Sequence, residues 1–268
     1  MNELMTNLSI LQITDCHILP CLNETFLGIN TEHYFQAVIE LALTENRPFD
    51  LIIVTGDLVQ NPSQESYQRI LTHIETIKIP CICLPGNHDD TQLMQQIFNT
   101  PLVSCRKQIL LGNWQLIFLN SQVKGVPSGR LSNQELCFLD DCLSKHPNHH
   151  ALIAVHHHCL ETKSAWMDAM MIENSLELWT VIGKYPNVKI ITTGHIHQLM
   201  DIEHEGVRVL GTPSTCFQFK PDSPTFSLDN IASPGYRQMT LSSDGRFKTL
   251  ISRLPEPLKD LQIDSLGY

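Results

Sequence analysis

Along the chain, short unbroken apolar runs alternate with longer stretches in which apolar residues recur every third or fourth position. The runs Leu8 to Ile13, Leu51 to Val54, Ile79 to Leu84, Leu116 to Leu119, Ala151 to Val155 and Val188 to Ile191 have strand length and a branched composition, which predicts buried strands. Between them the helical period appears over roughly Glu32–Thr44, Ser63–Ile77, Asp90–Phe98, Ser132–Lys145 and Asn174–Lys184. Ser132 followed three residues on by Glu135 predicts a capping box. Strands alternating with helices imply an α/β layered core. After His197 the texture changes to short alternating stretches, Leu199 to Glu203, Val207 to Leu210, Thr215 to Phe219 and Arg237 to Leu241, split by Gly206, Gly211, Pro213 and Gly235. This predicts antiparallel strands in a second sheet. Pro255 to Tyr268 carries little periodicity and reads as a tail or a contact for another subunit. With no repeat, linker or low-complexity block, residues 1–268 read as one domain with a core from about 8 to 242.

Composition narrows the function classes. A chain of 268 residues with 42% hydrophobic content can fill one large core. No run approaches the roughly eighteen apolar residues of a spanning helix, and Met1-Asn2-Glu3 lacks the basic start of a signal peptide, so the expected location is the cytoplasm, away from membranes. Nine cysteines fall mostly inside apolar runs, and Cys81-Ile82-Cys83 has no second pair. They read as small buried hydrophobes in a reducing compartment. A net charge of −10 with only short basic clusters such as Arg106-Lys107 argues against long DNA or RNA. Bound divalent cations would offset that charge locally and admit a small anionic substrate.

The candidate chemistry stands at the strand ends. The first strand is followed by Asp15-Cys16-His17, the second by Gly56-Asp57 and the third by Gly86-Asn87-His88-Asp89. The run ending at Val155 leads into His156-His157-His158, and the run ending at Ile191 leads to Gly194-His195-Ile196-His197. Each block alone is ordinary, since Asp after a strand is often a turn former and a histidine is often a satisfied core residue. Five successive strand ends carrying ligand-type side chains are not, because loops leaving the carboxyl edge of an α/β sheet converge on one crevice. Carboxylates, imidazoles and an amide gathered there make a mixed oxygen and nitrogen set suited to manganese, iron, zinc or similar ions.

The ordered set Asp15-x-His17, Gly56-Asp57, Gly86-Asn87-His88-Asp89, His156-His157 and Gly194-His195-x-His197 resembles the calcineurin-like metallophosphoesterases. The longer segments Leu84 to Asp89, His156 to His158 and Gly211 to Pro221 are similar, more narrowly, to bacterial class III 3',5'-cyclic AMP phosphodiesterases, and the resemblance covers about Ile10 to Thr240. It implies a four-layer α/β/β/α sandwich and hydrolysis of cyclic AMP to 5'-AMP by a hydroxide shared between two metal ions. Asp15, His17 and His197 would hold one ion, Asn87, His156 and His195 the other, and Asp57 would bridge both. His88 and Asp57 are the implied catalytic residues, with His88 stabilising phosphoryl oxygens or protonating the departing alkoxide. His17, Asp57, Asn87, His88 and His197 would meet the substrate, and Asp89 would orient a neighbour. The resemblance points to the first of the three consecutive histidines as the ligand and leaves His157 and His158 without assigned roles. The ions are divalent or mixed-valence, iron and manganese foremost, with zinc or cobalt also accepted, and the partners are a small nucleotide and, optionally, further copies of the chain. Cys159 and Glu161 stand where the family often has prolines, at the expected substrate entrance. Two alternatives remain: a metallophosphoesterase acting on another small phosphodiester or pyrophosphate of nucleotide or lipid-precursor type, which Gly211 to Pro221 discriminates, and a non-catalytic binding module, which the complete ligand set disfavours.

Overall fold

A strand buried on both faces must be apolar throughout and still send alternate side chains to opposite sides. The apolar runs behave in this way. A computed structural model describes residues 7–45 and 49–264; Met1-Asn2-Glu3 and the last four residues of the expected tail lie outside them. In chain order the elements are β1 (Leu8–Ile13), α1 (Thr31–Glu45), β2 (Leu51–Thr55), α2 (Gln64–Ile77), β3 (Cys81–Leu84), α3 (Thr91–Ile97), β4 (Val103–Ser104), β5 (Gln108–Leu111), β6 (Trp114–Leu119), α4 (Asn133–Lys145), β7 (His150–Val155), α5 (Ala165–Asp168), α6 (Ser175–Ile182), β8 (Val188–Thr193), β9 (Met200–His204), β10 (Val207–Gly211), β11 (Gln218–Phe219), β12 (Leu228–Asp229), β13 (Gly235–Leu241) and β14 (Phe247–Arg253).

Two six-stranded sheets result, ordered β14-β13-β1-β2-β3-β4 and β5-β6-β7-β8-β10-β9. Ile10, Leu51, Ile53, Ile82 and Leu84 of the first meet Trp114, Leu116, Phe118, Leu152, Ala154, Ile190 and Leu210 of the second in one inter-sheet core. The alternate residues Leu11, Ile13, Ile52, Val54, Cys81 and Cys83 pack outward on α1, α2 and α3, while Ile117, Leu119, Ile153, Val155 and Ile191 pack on α4, α5 and α6. The architecture is the α/β/β/α sandwich. The strands β1, β2 and β3 run parallel, as do β6, β7, β8 and β10, so their carboxyl ends meet along one edge of the seam between the sheets.

One expectation is corrected. The strands after His197 do not form a sheet of their own: β9 and β10 extend the second sheet, whereas β13 and β14 extend the first, with β13 antiparallel to β1. Alternation reports which face of a strand is buried and carries no information about which sheet edge receives it. Of Thr215 to Phe219 only Gln218–Phe219 is a strand, paired with β12. The expected capping box on α4 is half formed. Ser132 Oγ accepts the Glu135 N–H at 3.2 Å, but the Glu135 carboxylate turns away to accept the Asn120 N–H at 3.0 Å and to pair with Lys107.

Toward the carboxyl edge the inter-sheet seam turns from apolar to polar. The Gln12 amide donates to Thr55 Oγ1 (3.0 Å) and its oxygen accepts from Thr192 and Thr212 hydroxyls (2.6 and 2.9 Å). Arg237, 1% exposed, donates to Thr212 Oγ1, Thr249 Oγ1 and the Gly211 carbonyl. This belt spans both sheets directly below the loops that carry the chemistry. Residues 254–264 hold no helix or strand and return against the loop after β1, where the Gln262 N–H donates to the Leu27 carbonyl at 3.0 Å. No helix among the described residues is long and apolar enough to cross a membrane.

Candidate metal centre

The loops leaving β1 and β2 stay coupled beyond the sheet. Asp15, His17 and Ile18 donate their N–H groups to the Gly56, Asp57 and Leu58 carbonyls, each at 3.0 Å. To turn their side chains into one volume these loops adopt backbone that L-residues avoid. Asp15, His17, Asp57, His195 and His197 have φ of 53°, 47°, 49°, 66° and 45°, a region costing on the order of 1–3 kcal/mol per residue unless the surroundings enforce it. Those five belong to the seven residues predicted as ligands, and all seven come from the ends of β1, β2, β3, β7 and β8. Gly56 marks how close the two sheets come. At φ 95° an added Cβ would stand 2.7 Å from His156 Cγ across the seam.

Hydrogen bonds fix the imidazoles. His17 Nδ1 donates to Gln60 Oε1 (2.7 Å), His156 Nδ1 to the Thr55 carbonyl (2.8 Å) and His197 Nδ1 to the Phe217 carbonyl (2.9 Å). With Nδ1 protonated, the neutral ring carries its lone pair on Nε2, the tautomer a metal-binding histidine needs. These Nε2 atoms converge: His17 and His197 approach to 3.2 Å, and His197 lies 3.3 Å from Asp15 Oδ1. His156 Nε2 lies 3.1 Å from Asn87 Oδ1 and 3.3 Å from Asp57 Oδ2. His195 is fully buried, and among the described residues neither ring nitrogen has a hydrogen-bond partner. Two lone pairs facing each other, and a buried imidazole with nothing to bond, are costly without a cation.

Donor atoms within 4.8 Å of one another form the groups Asp15-His17-His197, Asp15-Asp57-His156, His17-Asp57-His88 and His156-His157-His195. Asp57 belongs with residues on both sides. The electrostatics agree with cation binding. Burial pushes His17 down to about 3 against the pull of Asp57, and burial also holds His195 well below the usual imidazole range, so both rings are in the neutral form that ligates metals. Burial alone would raise Asp57, but His156, His88 and His17 around it keep its carboxyl well below the ordinary range. Burial likewise opposes charge on His156, yet the Asp57 carboxylate outweighs it and lifts the ring to about 9.

Of the remaining sequence candidates, His88 and His157 each stand within one of these groups, and His158 and Asp89 lie around the seven predicted ligands. The His88 amide donates to Asp57 Oδ1 (2.9 Å) and its Nδ1 to the Gln60 carbonyl (3.1 Å), and the residue faces an open cavity beside the centre. His157 has both nitrogens occupied, Nε2 donating to the Pro127 carbonyl at 3.2 Å and Nδ1 paired with Ser121 Oγ at 2.7 Å. His158 stacks on His195 with centroids 5.8 Å apart and lies 3.7 Å from Asp168. Asp89 braces two loops, accepting from the Gly86 and Leu58 amides and the Tyr67 hydroxyl at 2.9, 3.2 and 3.0 Å. Burial, reinforced by the charge of Asp57, pushes Asp89 up to about 7.

One position differs from expectation. Cys159 does not border an entrance; it is 1% exposed and packed in the core beneath α4 to α6. The Gly211 to Pro221 segment packs against Asp15 and His197. Ser214 Oγ donates to the Asp15 carbonyl at 2.8 Å, and Phe217 and Phe219 stack on His197 at 4.7 and 4.3 Å. The opening is lined instead by Asn87, His88, Val126, Trp166, Met170 and Phe226. The last four, and Gln60 as well, belong to no sequence motif: they are apolar residues in loops or in the single-turn α5, and one more glutamine.

Residues 8–199 match the family described as calcineurin-like phosphoesterase. The chain is 42% identical over 250 residues to the Haemophilus influenzae protein named 3',5'-cyclic adenosine monophosphate phosphodiesterase CpdA, covering 93% of this chain and 91% of that one. It is 42% identical over 260 residues to the protein of that name from Escherichia coli K12, covering 97% and 94%. Among solved structures, a dimetal phosphatase from Danio rerio superposes with a TM-score of 0.61 at 14% identity, over 92% of this chain and 98% of that one. That last likeness is one of fold.

Proposed function

The chain belongs to the calcineurin-like phosphoesterases, and from that premise we propose that it hydrolyses the cyclic phosphodiester of 3',5'-cyclic AMP to 5'-AMP at a centre of two metal ions. The observation that carries the reading is the convergence of seven buried or half-buried donors from five strand ends, with three imidazoles already fixed in the ligating tautomer. The near full-length identity to cyclic AMP phosphodiesterases supplies the substrate. Asp15, His17 and His197 would hold one ion and Asn87, His156 and His195 the other, with Asp57, grouped with donors on both sides, contributing to both. Iron or manganese suits this oxygen and nitrogen set best. When bound, the ions supply a water ionised near neutral pH and positive charge for the phosphoryl oxygens.

The protein does the rest. Gln60, Thr55 and Phe217 keep the imidazoles aimed, so no reorganisation is needed when substrate arrives. His88, adjacent to Asn87 and tethered through its amide to Asp57, presents its ring to the open side, where it stabilises the phosphoryl oxygens or, entering the step as the imidazolium with Nδ1–H held by the Gln60 carbonyl, gives its Nε2 proton to the alkoxide as the ester bond breaks. The same reading takes residues 1–268 as one catalytic domain, its core running past the expected limit near 242 to include β14 (Phe247–Arg253), and assigns it to the cytoplasm, where its nine free thiols would stay reduced.

The test is release of 5'-AMP from cyclic AMP by purified protein supplied with manganese or iron, followed by chromatography with a chelator control. Efficient, chelator-sensitive release is expected. Metal-dependent cleavage of a generic aryl phosphodiester with none of cyclic AMP would reject the substrate and keep the centre.

A further inference from the structure

Beside the centre lies a cavity of about 410 Å³ with Asn87 and His88 at one end, within the roughly 300–1,000 Å³ of small-molecule sites. Beyond those two residues its side-chain wall is apolar: Val126, Pro127, Trp166, Met170 and Phe226, with no Lys, Arg, Asp or Glu among the described lining residues. A diester bound at the centre has this space next to its phosphate. A pyrophosphate tail would find no countercharge here, whereas a flat, uncharged ring system would replace water on an apolar face.

A chain of ring contacts joins that face to the centre. Phe219 stacks on His197 at 4.3 Å, Trp166 meets Phe219 edge-on at 4.9 Å, and Phe226 meets Trp166 at 5.2 Å. The short α5 that carries Trp166 is pinned on both sides. The Asp168 carboxylate accepts from the Thr162 amide and hydroxyl, both at 2.7 Å, and Ser164 Oγ accepts the Ser223 N–H at 3.2 Å.

We propose that this cavity is the subsite for the purine base of the substrate, with Trp166 as the specificity-determining residue on which the base stacks. The assignment rests on the cyclic-nucleotide reading above. Because the apolar wall offers the base area and shape, purine cyclic nucleotides outrank pyrimidine ones, and both outrank a diester with no base.

The experiment compares wild type, Trp166→Ala and Trp166→Phe on cyclic AMP and on methyl p-nitrophenyl phosphate, a diester without a base, with metal content measured on each protein. Trp166→Ala should lower kcat/KM for cyclic AMP relative to the small diester by roughly tenfold to a hundredfold, the usual worth of one base–aromatic stack, with metal retained; Trp166→Phe should keep most of the preference. An equal fall on both substrates with metal retained would overturn the subsite and leave the cyclic AMP reading standing. A wild type that cleaves only the small diester would sink that reading and the subsite together. Should Trp166→Ala fail to fold, Val126→Arg on the half-exposed rim decides: a selective loss on cyclic AMP supports the subsite, and unchanged selectivity overturns it.

Discussion

At Gly194 an added Cβ would overlap Thr14 Oγ1 and stand 2.8 Å from Asp15 Oδ2, the carboxylate that accepts the His195 N–H at 3.0 Å. Gly194→Ala therefore pushes on Asp15 from behind, and metal content and activity should fall together while the helical circular dichroism is kept. Asp57 and His88 separate in the other direction. Asp57→Ala removes the carboxylate grouped with donors on both sides and should abolish activity with loss of metal. His88→Ala should lower kcat by about 10²–10⁴ with metal retained, and an emptied site in that variant would refute the division of roles. At this scale the sequence disclosed the acids and imidazoles, because such side chains are unusual right after apolar strands. It did not disclose what aims them. Two of the three Nδ1 acceptors are the main-chain carbonyls of Thr55 and Phe217, which no side-chain pattern can reveal.

Helices and strands became legible wherever burial imposed a period. The runs from Leu8, Leu51, Leu116, Ala151 and Val188 all fold as strands near their expected limits, since each is sandwiched between two cores. The elements that escaped notice are β4, β5, β12 and β14, together with the single-turn α5. Two of these are two residues long, while β5 and β14 are edge strands with partly exposed faces where charged or polar residues blur the alternation. Capping was half legible, because Ser132 caps α4 but Glu135 is engaged by Asn120 and Lys107. Ser132→Ala should thus cost about 1 kcal/mol in denaturant unfolding and leave kcat untouched, because α4 lies on the outer layer and lines no part of the centre. A drop in kcat would show that the helix reaches the site.

For the molecule as a whole the decisive contact is between sheets. Asp15, His17, Asp57 and Asn87 hang from one sheet and His156, His195 and His197 from the other, so the centre keeps its geometry only if the sheets keep their spacing. Gln12 and Arg237 set that spacing with a belt of hydrogen bonds. Arg237→Ala opens a void and strands buried acceptors, so thermal stability should fall by about 2–5 kcal/mol and metal affinity with it. Chelation of the wild type should likewise lower the melting temperature, with recovery on adding manganese, because ligand that binds only the folded state stabilises it; an unchanged melting temperature would argue against ions bridging the seam. The register of β13 on β1, Leu241 opposite Leu8, reaches into the life of the chain on the ribosome. β1 waits for a neighbour translated long after it, and Ser214 and Phe217, which brace Asp15 and His197, also emerge well after the residues they brace. Chelator-resistant metal binding should thus wait for those later segments, and a ribosome-arrested chain halted before Gly235 should hold no such ion.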